Sequence, residues 1–155
     1  MKLLITFILF LSCALTACNG HQNEIQENPK VIVKDKKISS DFLINGVKKE
    51  YYKNGKLERE TPYTNGKKNG TEKFYYESGE LYSESPFTDD KANGVCKVYY
   101  KSGKLLSEAP YSNGIENGLD KSYYENGKLM EETPYVNGKQ GLEKQFDENG
   151  NEIKQ

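Results

Sequence analysis

The sequence predicts an all-β protein, an elongated single-layer antiparallel sheet of repeated β-hairpins preceded by a signal peptide and a flexible tether. The first observation is internal repetition. Four similar stretches, "YYKNGKLERETPY", "YYESGELYSESPF", "YYKSGKLLSEAPY" and "YYENGKLMEETPY", begin at Tyr51, Tyr75, Tyr99 and Tyr123, 24 residues apart each time. The second is composition: Tyr, Val and Thr are frequent, and Asn-Gly or Ser-Gly divides each stretch, which favours hairpins over helices.

Residues 1–17 are predicted to be a signal peptide. Lys2 precedes the apolar run "LLITFILFLSCA", which is shorter than the roughly 20 apolar residues that a transmembrane helix needs. The run ends in "LTAC", which resembles the lipobox of bacterial lipoproteins. That resemblance implies cleavage before Cys18 and lipid attachment to its thiol. The alternatives are an ordinary cleaved signal with an incidental cysteine and an uncleaved anchor.

A lipid on Cys18 would attach the chain to a membrane. Each buried methylene contributes about 0.8 kcal/mol, and more than one acyl chain makes anchoring stable. Asn19 stands where Asp is the inner-membrane retention signal of Gram-negative lipoproteins. The resemblance therefore implies the outer membrane in a Gram-negative cell, and otherwise the outer face of the cell membrane. Cys96 remains as the free thiol, and we interpret it as a tolerated small residue.

Residues 18–30 are polar and aperiodic, which predicts a flexible tether. Residues 31–45 contain "VIV" and "ISSDFLI" around "KDKK", which predicts a capping hairpin. The repeats follow, with two strands expected in each, and a period of this length indicates stacked units. Their bounds are 46–69, 70–93, 94–117, 118–140 and a partial unit at 141–155.

The central turn of each repeat determines the expected register. A two-residue type I′ turn would place Ser78 and Ser102 at positive φ, whereas a three-residue loop requires this only of glycine. The longer loop places Tyr51 opposite Leu57 and predicts one half-buried apolar face with Val47, Tyr51, Leu57 and Tyr63. The alternative register divides this apolar set between the faces.

The opposite face is expected to carry one row of tyrosines and one row of glutamates. Tyr52, Tyr76, Tyr100 and Tyr124 form an exposed aromatic row there, together with Glu60, Glu84, Glu108 and Glu132. The tyrosine row is the candidate binding surface, because tyrosine offers rigid amphipathic contact area to proteins and sugars. The alternative is a ladder of rings that only stabilises the sheet. Pro62 and its three equivalents are expected to interrupt the second strand of each unit.

Catalytic chemistry is not expected, and neither is a cofactor or a metal. His21 is the sole histidine, which excludes a His-based triad. Four equivalent glutamates do not provide the asymmetric pair that glycoside hydrolysis needs, so they are interpreted as solvated groups. A formal net charge of −1 gives no electrostatic reason to expect nucleic-acid binding.

The repeat pattern G-x-x-K-x-Y-Y-x-[NS]-G-[KE]-L-x-x-E-x-P-[YF] resembles the bacterial variant of the MORN repeat over residues 46–155. The resemblance implies a row of β-hairpins that binds a protein, a glycan or a lipid and is not catalytic. We therefore interpret the chain as a lipid-anchored binding or scaffold module of the cell envelope. Proteins with this variant are often labelled YwqK-type toxin–antitoxin antitoxins, which implies, as the alternative, an immunity protein that neutralises a toxin by direct binding.

Overall fold

The computed structural model describes residues 45–154, where fourteen strands form one antiparallel sheet. This confirms the predicted all-β fold of repeated hairpins. In chain order the strands are β1 (Gly46–Tyr51), β2 (Leu57–Thr64), β3 (Lys67–Lys68), β4 (Gly70–Tyr75), β5 (Leu81–Thr88), β6 (Lys91–Ala92), β7 (Gly94–Tyr99), β8 (Leu105–Ser112), β9 (Ile115–Glu116), β10 (Gly118–Tyr123), β11 (Leu129–Val136), β12 (Lys139–Gln140), β13 (Lys144–Phe146) and β14 (Glu152–Ile153). The predicted signal peptide, Cys18, the tether and all of the capping hairpin except Asn45 lie outside the described residues.

The sheet is built from hairpins joined edge to edge. Its main strand order is β1-β2-β4-β5-β7-β8-β10-β11-β13-β14, and each short strand β3, β6, β9 and β12 pairs only with the strand before it. Within a hairpin the register extends over six residue pairs. Between hairpins it is much shorter: β2 meets β4 through Arg59 opposite Phe74 and Glu60 opposite Lys73.

The three-residue loop predicted at the centre of each repeat is confirmed. In the first repeat the Gly55 N–H donates to the Tyr52 carbonyl, and the Tyr52 N–H donates to the Lys56 carbonyl, both at 2.9 Å. Gly55 has a φ of 83°, as this loop type requires. Tyr51 lies opposite Leu57, as predicted.

Each repeat has three strands rather than the predicted two. In the first repeat, β3 folds back on β2 through Asn65 and Gly66, whose φ values are 53° and 74°. Positive φ at both central residues defines a type I′ turn. The Asn-Gly pair that favours this turn was present in the sequence, but the sequence analysis did not assign a strand after it.

A second irregularity follows the central loop. Glu50 lies opposite Arg59, whereas Tyr51 lies opposite Leu57, so Glu58 is an extra residue on β2. Such a bulge reverses the face on which all later side chains of the strand lie. The same shift recurs in the other three repeats.

This bulge overturns part of the predicted face assignment. Val47, Tyr51 and Leu57 share a face, but Tyr63 lies on the opposite one, and Glu60 lies with Val47 rather than opposite it. We call the surface with Val47, Lys49, Tyr51, Leu57, Glu60, Pro62 and their equivalents the outer face. We call the surface with Lys48, Glu50, Arg59, Thr61, Tyr63 and their equivalents the inner face.

The buried core lies on the inner face. Cys96, Ala109 and Tyr111 form its centre, and Val98 and Phe87 are buried on the same face. By contrast, Val47 and Tyr51 on the outer face are 56% and 58% exposed. The face of Val47 and Tyr51 therefore does not carry the fully buried core, although Leu57 and its equivalents on that face are half-buried, as predicted.

The prolines do not interrupt the strands, so that prediction is also wrong. Strand β2 runs through Pro62, whose carbonyl accepts a hydrogen bond from the Asn69 N–H at 3.0 Å. The proline ring packs against the first residue of the next repeat. A Cβ on Gly70, which has a φ of 117°, would lie 2.9 Å from Pro62 Cγ. The glycine at the start of each repeat thus makes room for the preceding proline.

Candidate binding surfaces

The predicted binding row forms a ladder of hydrogen bonds between repeats. The hydroxyls of Tyr52, Tyr76, Tyr100 and Tyr124 donate over 2.5 to 2.8 Å to the carbonyls of Tyr75, Tyr99, Tyr123 and Phe146, respectively. All four tyrosines are half-buried rather than fully exposed. Burial, with smaller contributions from neighbouring glutamates, raises the pKa of the Tyr52 and Tyr76 phenols. The hydroxyls join repeats, and only parts of the rings are accessible.

Tyr76 shows how these rings are held. Its ring meets that of Tyr82 edge to face, with centroids 5.0 Å apart and an interplanar angle of 68°. The Lys101 ammonium lies 5.5 Å from the centroid of Tyr76, within the range of a cation–π contact. Tyr76 is therefore preorganised, which limits the entropy lost if a partner contacts it. The binding role of the row stays a prediction.

A second set of tyrosines organises the outer face. The hydroxyls of Tyr75, Tyr99 and Tyr123 donate to carboxylates of the preceding repeat, on Glu60, Glu84 and Glu108, at 2.7 to 2.9 Å. Burial and the hydrogen bond to Glu84 raise the pKa of Tyr99 to about 12. The Lys49 ammonium lies 3.0 Å from the Glu60 carboxylate and, with the Tyr75 hydroxyl, lowers its pKa.

These contacts change the interpretation of the glutamate row. Glu60, Glu84 and Glu132 are half-buried, each within 4 Å of a lysine, and they are not simply solvated groups as predicted. Each takes part in binding one strand to its neighbour. Their role in the described part of the chain is structural.

At its N-terminal end the inner face has matched charges. The buried Glu72 carboxylate accepts hydrogen bonds from the Thr61 hydroxyl and the Lys68 ammonium, both at 2.9 Å. Arg59 pairs with Glu50, and the pKa of that carboxyl is lowered by the hydrogen bonds to its basic neighbours despite the opposing effect of burial. These contacts offset part of the cost of placing charges on the inner face, while the second carboxylate oxygen of Glu72 is buried without a hydrogen-bond partner in the described part of the chain.

At its C-terminal end the inner face carries carboxyl groups that act on one another. Burial raises the pKa of Asp120 to about 7, together with charge repulsion and a hydrogen bond from Glu116 and charge repulsion from Glu131. Burial also raises the pKa of Glu131, with repulsion from Glu143 adding to it. Tyr135 lies among the same acids, and burial with their charges raises the pKa of its phenol. This cluster of carboxyl groups was not predicted from the sequence, because the bulge decides which residues share a face.

Equivalent positions of the repeats therefore differ along the inner face. Lys48, Glu72, Cys96 and Asp120 occupy the same place in successive units. Cys96 is 3% exposed at the centre of the core, which agrees with its interpretation as a small packed residue. The charge and polarity of the inner face therefore differ from repeat to repeat, while the backbone pairing of each repeat stays the same.

Residues 45–154 contain neither a clustered metal site nor a membrane-spanning helix. This part of the chain contains no group of three or more His, Cys, Asp or Glu side chains arranged to hold a metal ion. It also contains no helix long and apolar enough to cross a membrane. Cys18, the predicted lipidation site, lies outside these residues.

The repeated unit matches a known family. The MORN repeat variant is found four times, at residues 44–65, 68–89, 92–113 and 116–137, which together cover more than half of the chain. The chain belongs to the MORN repeat variant family. The starts of the matches are 24 residues apart, in phase with β1, β4, β7 and β10. No curated protein sequence matches the chain.

Membership gives the coarse function. MORN repeats are commonly binding or scaffold modules and are generally not catalytic. In this chain the four MORN repeats present three distinct surfaces, namely the tyrosine ladder, the outer face and the graded inner face.

Proposed function

We propose that this MORN repeat protein is a lipid-anchored, non-catalytic binding or scaffold module of the cell envelope, with a protein or a glycan as its partner. The observation that carries the proposal is the continuous open sheet that the four MORN repeats form. A single row of hairpins presents an extended surface along its length, which suits an extended contact better than the enclosure of a small substrate.

The partner contact is proposed to include Tyr52, Tyr76, Tyr100 and Tyr124. These rings recur once per repeat and are held in place by their own hydroxyls. Preorganised aromatic rings lose little entropy on binding, and they are enriched at protein interfaces. A partner that follows the row would contact all four repeats.

Affinity capture from intact cells tests this contact with two quadruple variants. Changing the four tyrosines to Phe removes the hydroxyls and keeps the rings, whereas changing them to Leu removes both. Since the inter-repeat hydrogen bonds are lost in both variants, a difference between them reports on the rings. We expect the Phe variant to capture the wild-type partner and the Leu variant to lose it. Equal capture by the Leu variant, folded by circular dichroism, would exclude the row from the interface.

The membrane attachment is proposed to depend on lipid at Cys18. It rests on the apolar leader and on the resemblance of "LTAC" to a lipobox. Mass spectrometry of the N-terminal peptide should show a chain that begins at an acylated Cys18, and Cys18→Ser should release the protein from the membrane fraction. An unmodified cysteine in the membrane-bound wild type would contradict the assignment.

The second candidate is an antitoxin or immunity protein. It is favoured by the resemblance of residues 46–155 to YwqK-type repeats, and the predicted export leader restricts it to a toxin that acts at the envelope. Co-expression with a neighbouring toxin gene is the test. Protection that survives loss of the lipid anchor would favour this candidate over the scaffold.

A further inference from the structure

The outer face of the third and fourth repeats carries exposed aliphatic side chains. Ile115 lies opposite Ser112 across a type I′ turn, and Leu119 lies opposite Pro134 across β10 and β11. Val95 takes the position of Leu119 in the preceding repeat. The exposed fractions of these residues and of Val136 are Val95 42%, Ile115 50%, Leu119 38% and Val136 65%. We call these four residues the aliphatic patch.

The other repeats act as an internal control for this patch. The position of Leu119 holds Thr71 in the second repeat, and the position of Ile115 holds Lys67 and Lys91 in the first and second. The backbone pairing is the same in all four units. Because the fold accepts polar residues at these positions, it does not require the aliphatic ones. Exposed apolar patches of this kind mark contact surfaces.

A row of alternating charges runs beside the patch on the same face. Lys97 lies opposite Glu108, which lies opposite Lys121 on its other side. Lys121 in turn lies opposite Glu132, and Glu132 opposite Lys144. If this row of charges is reversed end to end and shifted by one strand, each lysine meets a glutamate. The row is therefore complementary in charge to a reversed copy of itself. A second copy of this chain supplies that reversed row.

We propose that the outer face of the third and fourth repeats docks on the same face of a second copy of this chain. The two-fold axis lies between the sheets, parallel to the strands and between β8 and β10. This rotation places Glu108 against Lys121 of the second copy and Lys97 against Glu132 of the second copy. It also places the aliphatic patch against itself, with Leu119 near Pro110 of the second copy. The contact leaves the inner face free, and it does not depend on the lipid anchor.

The test measures self-association of the full chain, purified in detergent, by sedimentation velocity over a range of concentrations. The variant Ile115→Lys with Leu119→Thr introduces only residues that other repeats already carry at these positions. Val47→Thr is the matched control, because Val47 occupies the position of Leu119 in the first repeat, outside the patch. A two-fold contact loses each substituted apolar side chain twice, so the two substitutions remove four buried aliphatic groups from the interface. We expect the dimer Kd of the double variant to rise at least about 100-fold.

Crosslinking of two differently tagged copies in intact cells gives an independent readout. The wild type and Val47→Thr should crosslink equally, and the double variant should not. A wild type that is monomeric at every concentration would overturn the proposal, and so would equal weakening by Val47→Thr. If the patch instead captures a different protein while the chain stays monomeric, the second copy is not the occupant. Thermal melts that match the wild type would show that the variants are folded.

Discussion

The acidic end of the inner face makes the stability of this protein dependent on pH through Asp120. Its pKa lies at about 7 against an ordinary value of 3.8, with burial as the main cause and repulsion from Glu116 next. A raised carboxyl pKa means that the folded state holds a proton which the unfolded chain has lost. The stabilisation is complete below about pH 4 and disappears as pH rises through 7.

The substitution Asp120→Asn keeps a hydrogen-bond donor toward Glu116 and removes the charge. If the whole pKa difference were expressed in the free energy of unfolding, it would amount to about 4 kcal/mol. The carboxyl is partly open to water and shares its proton with Glu116, so we expect about 1 to 2 kcal/mol of stabilisation at pH 8. At pH 4.5 the gain should be much smaller, because wild-type Asp120 is then protonated in the fold.

Urea unfolding followed by circular dichroism at the two pH values measures this gain, with equal m-values required for comparison. Glu132→Gln is the matched control, since Glu132 pairs with Lys144 at 3.1 Å on the outer face and should not gain stability when neutralised. The reasoning is refuted if Asp120→Asn gives no stabilisation at pH 8, or gives the same stabilisation at both pH values.

Three further outcomes follow from the geometry between repeats. Tyr76→Phe should lower the free energy of unfolding by about 1 kcal/mol, through loss of its bond to the next repeat, whereas Tyr51→Phe on the exposed edge should change it by less than about 0.5 kcal/mol in the same urea titration. Gly94→Ala should lower the free energy of unfolding by roughly 2 kcal/mol or more, because the φ of Gly94 is 128° and the new Cβ would lie 2.7 Å from a proline ring. Thermal melts measure this loss, and an unchanged stability would contradict the packing. Glu84→Gln should lower the pKa of Tyr99 from about 12 toward 10 in an ultraviolet titration, though only in part, since burial is the larger cause; an unchanged titration would exclude the hydrogen bond.

The sequence was sufficient for the fold class, the repeat period and the central loop, because each depends on local signals. Ser78 and Ser102 excluded the two-residue turn, since serine is disfavoured at positive φ, and the pairing of Tyr51 with Leu57 then followed. These inferences needed no knowledge of neighbouring repeats. They were correct for that reason.

The faces could not be derived in the same way. A bulge at Glu58 leaves no clear mark on the local pattern, yet it moves Tyr63 and Glu60 to the faces opposite those predicted. Pro62 also misled the prediction, because its effect depends on Gly70 in the next repeat. The tyrosine row and the acidic cluster involve contacts across repeats as well. The sequence shows which residues each repeat contains, but the strand register decides which of them make contact across repeats.

The short pairing between successive hairpins determines how the protein responds to a pulling force. Only two residue pairs join β2 to β4, supplemented by side-chain hydrogen bonds from Tyr52, Tyr75 and Thr61, against six pairs inside each hairpin. In such a linear array a terminal unit can detach while the middle stays intact. When the molecule is pulled from one end, it should therefore unfold in steps of about one repeat. Its extended surface would then shorten gradually, while the central repeats stay folded.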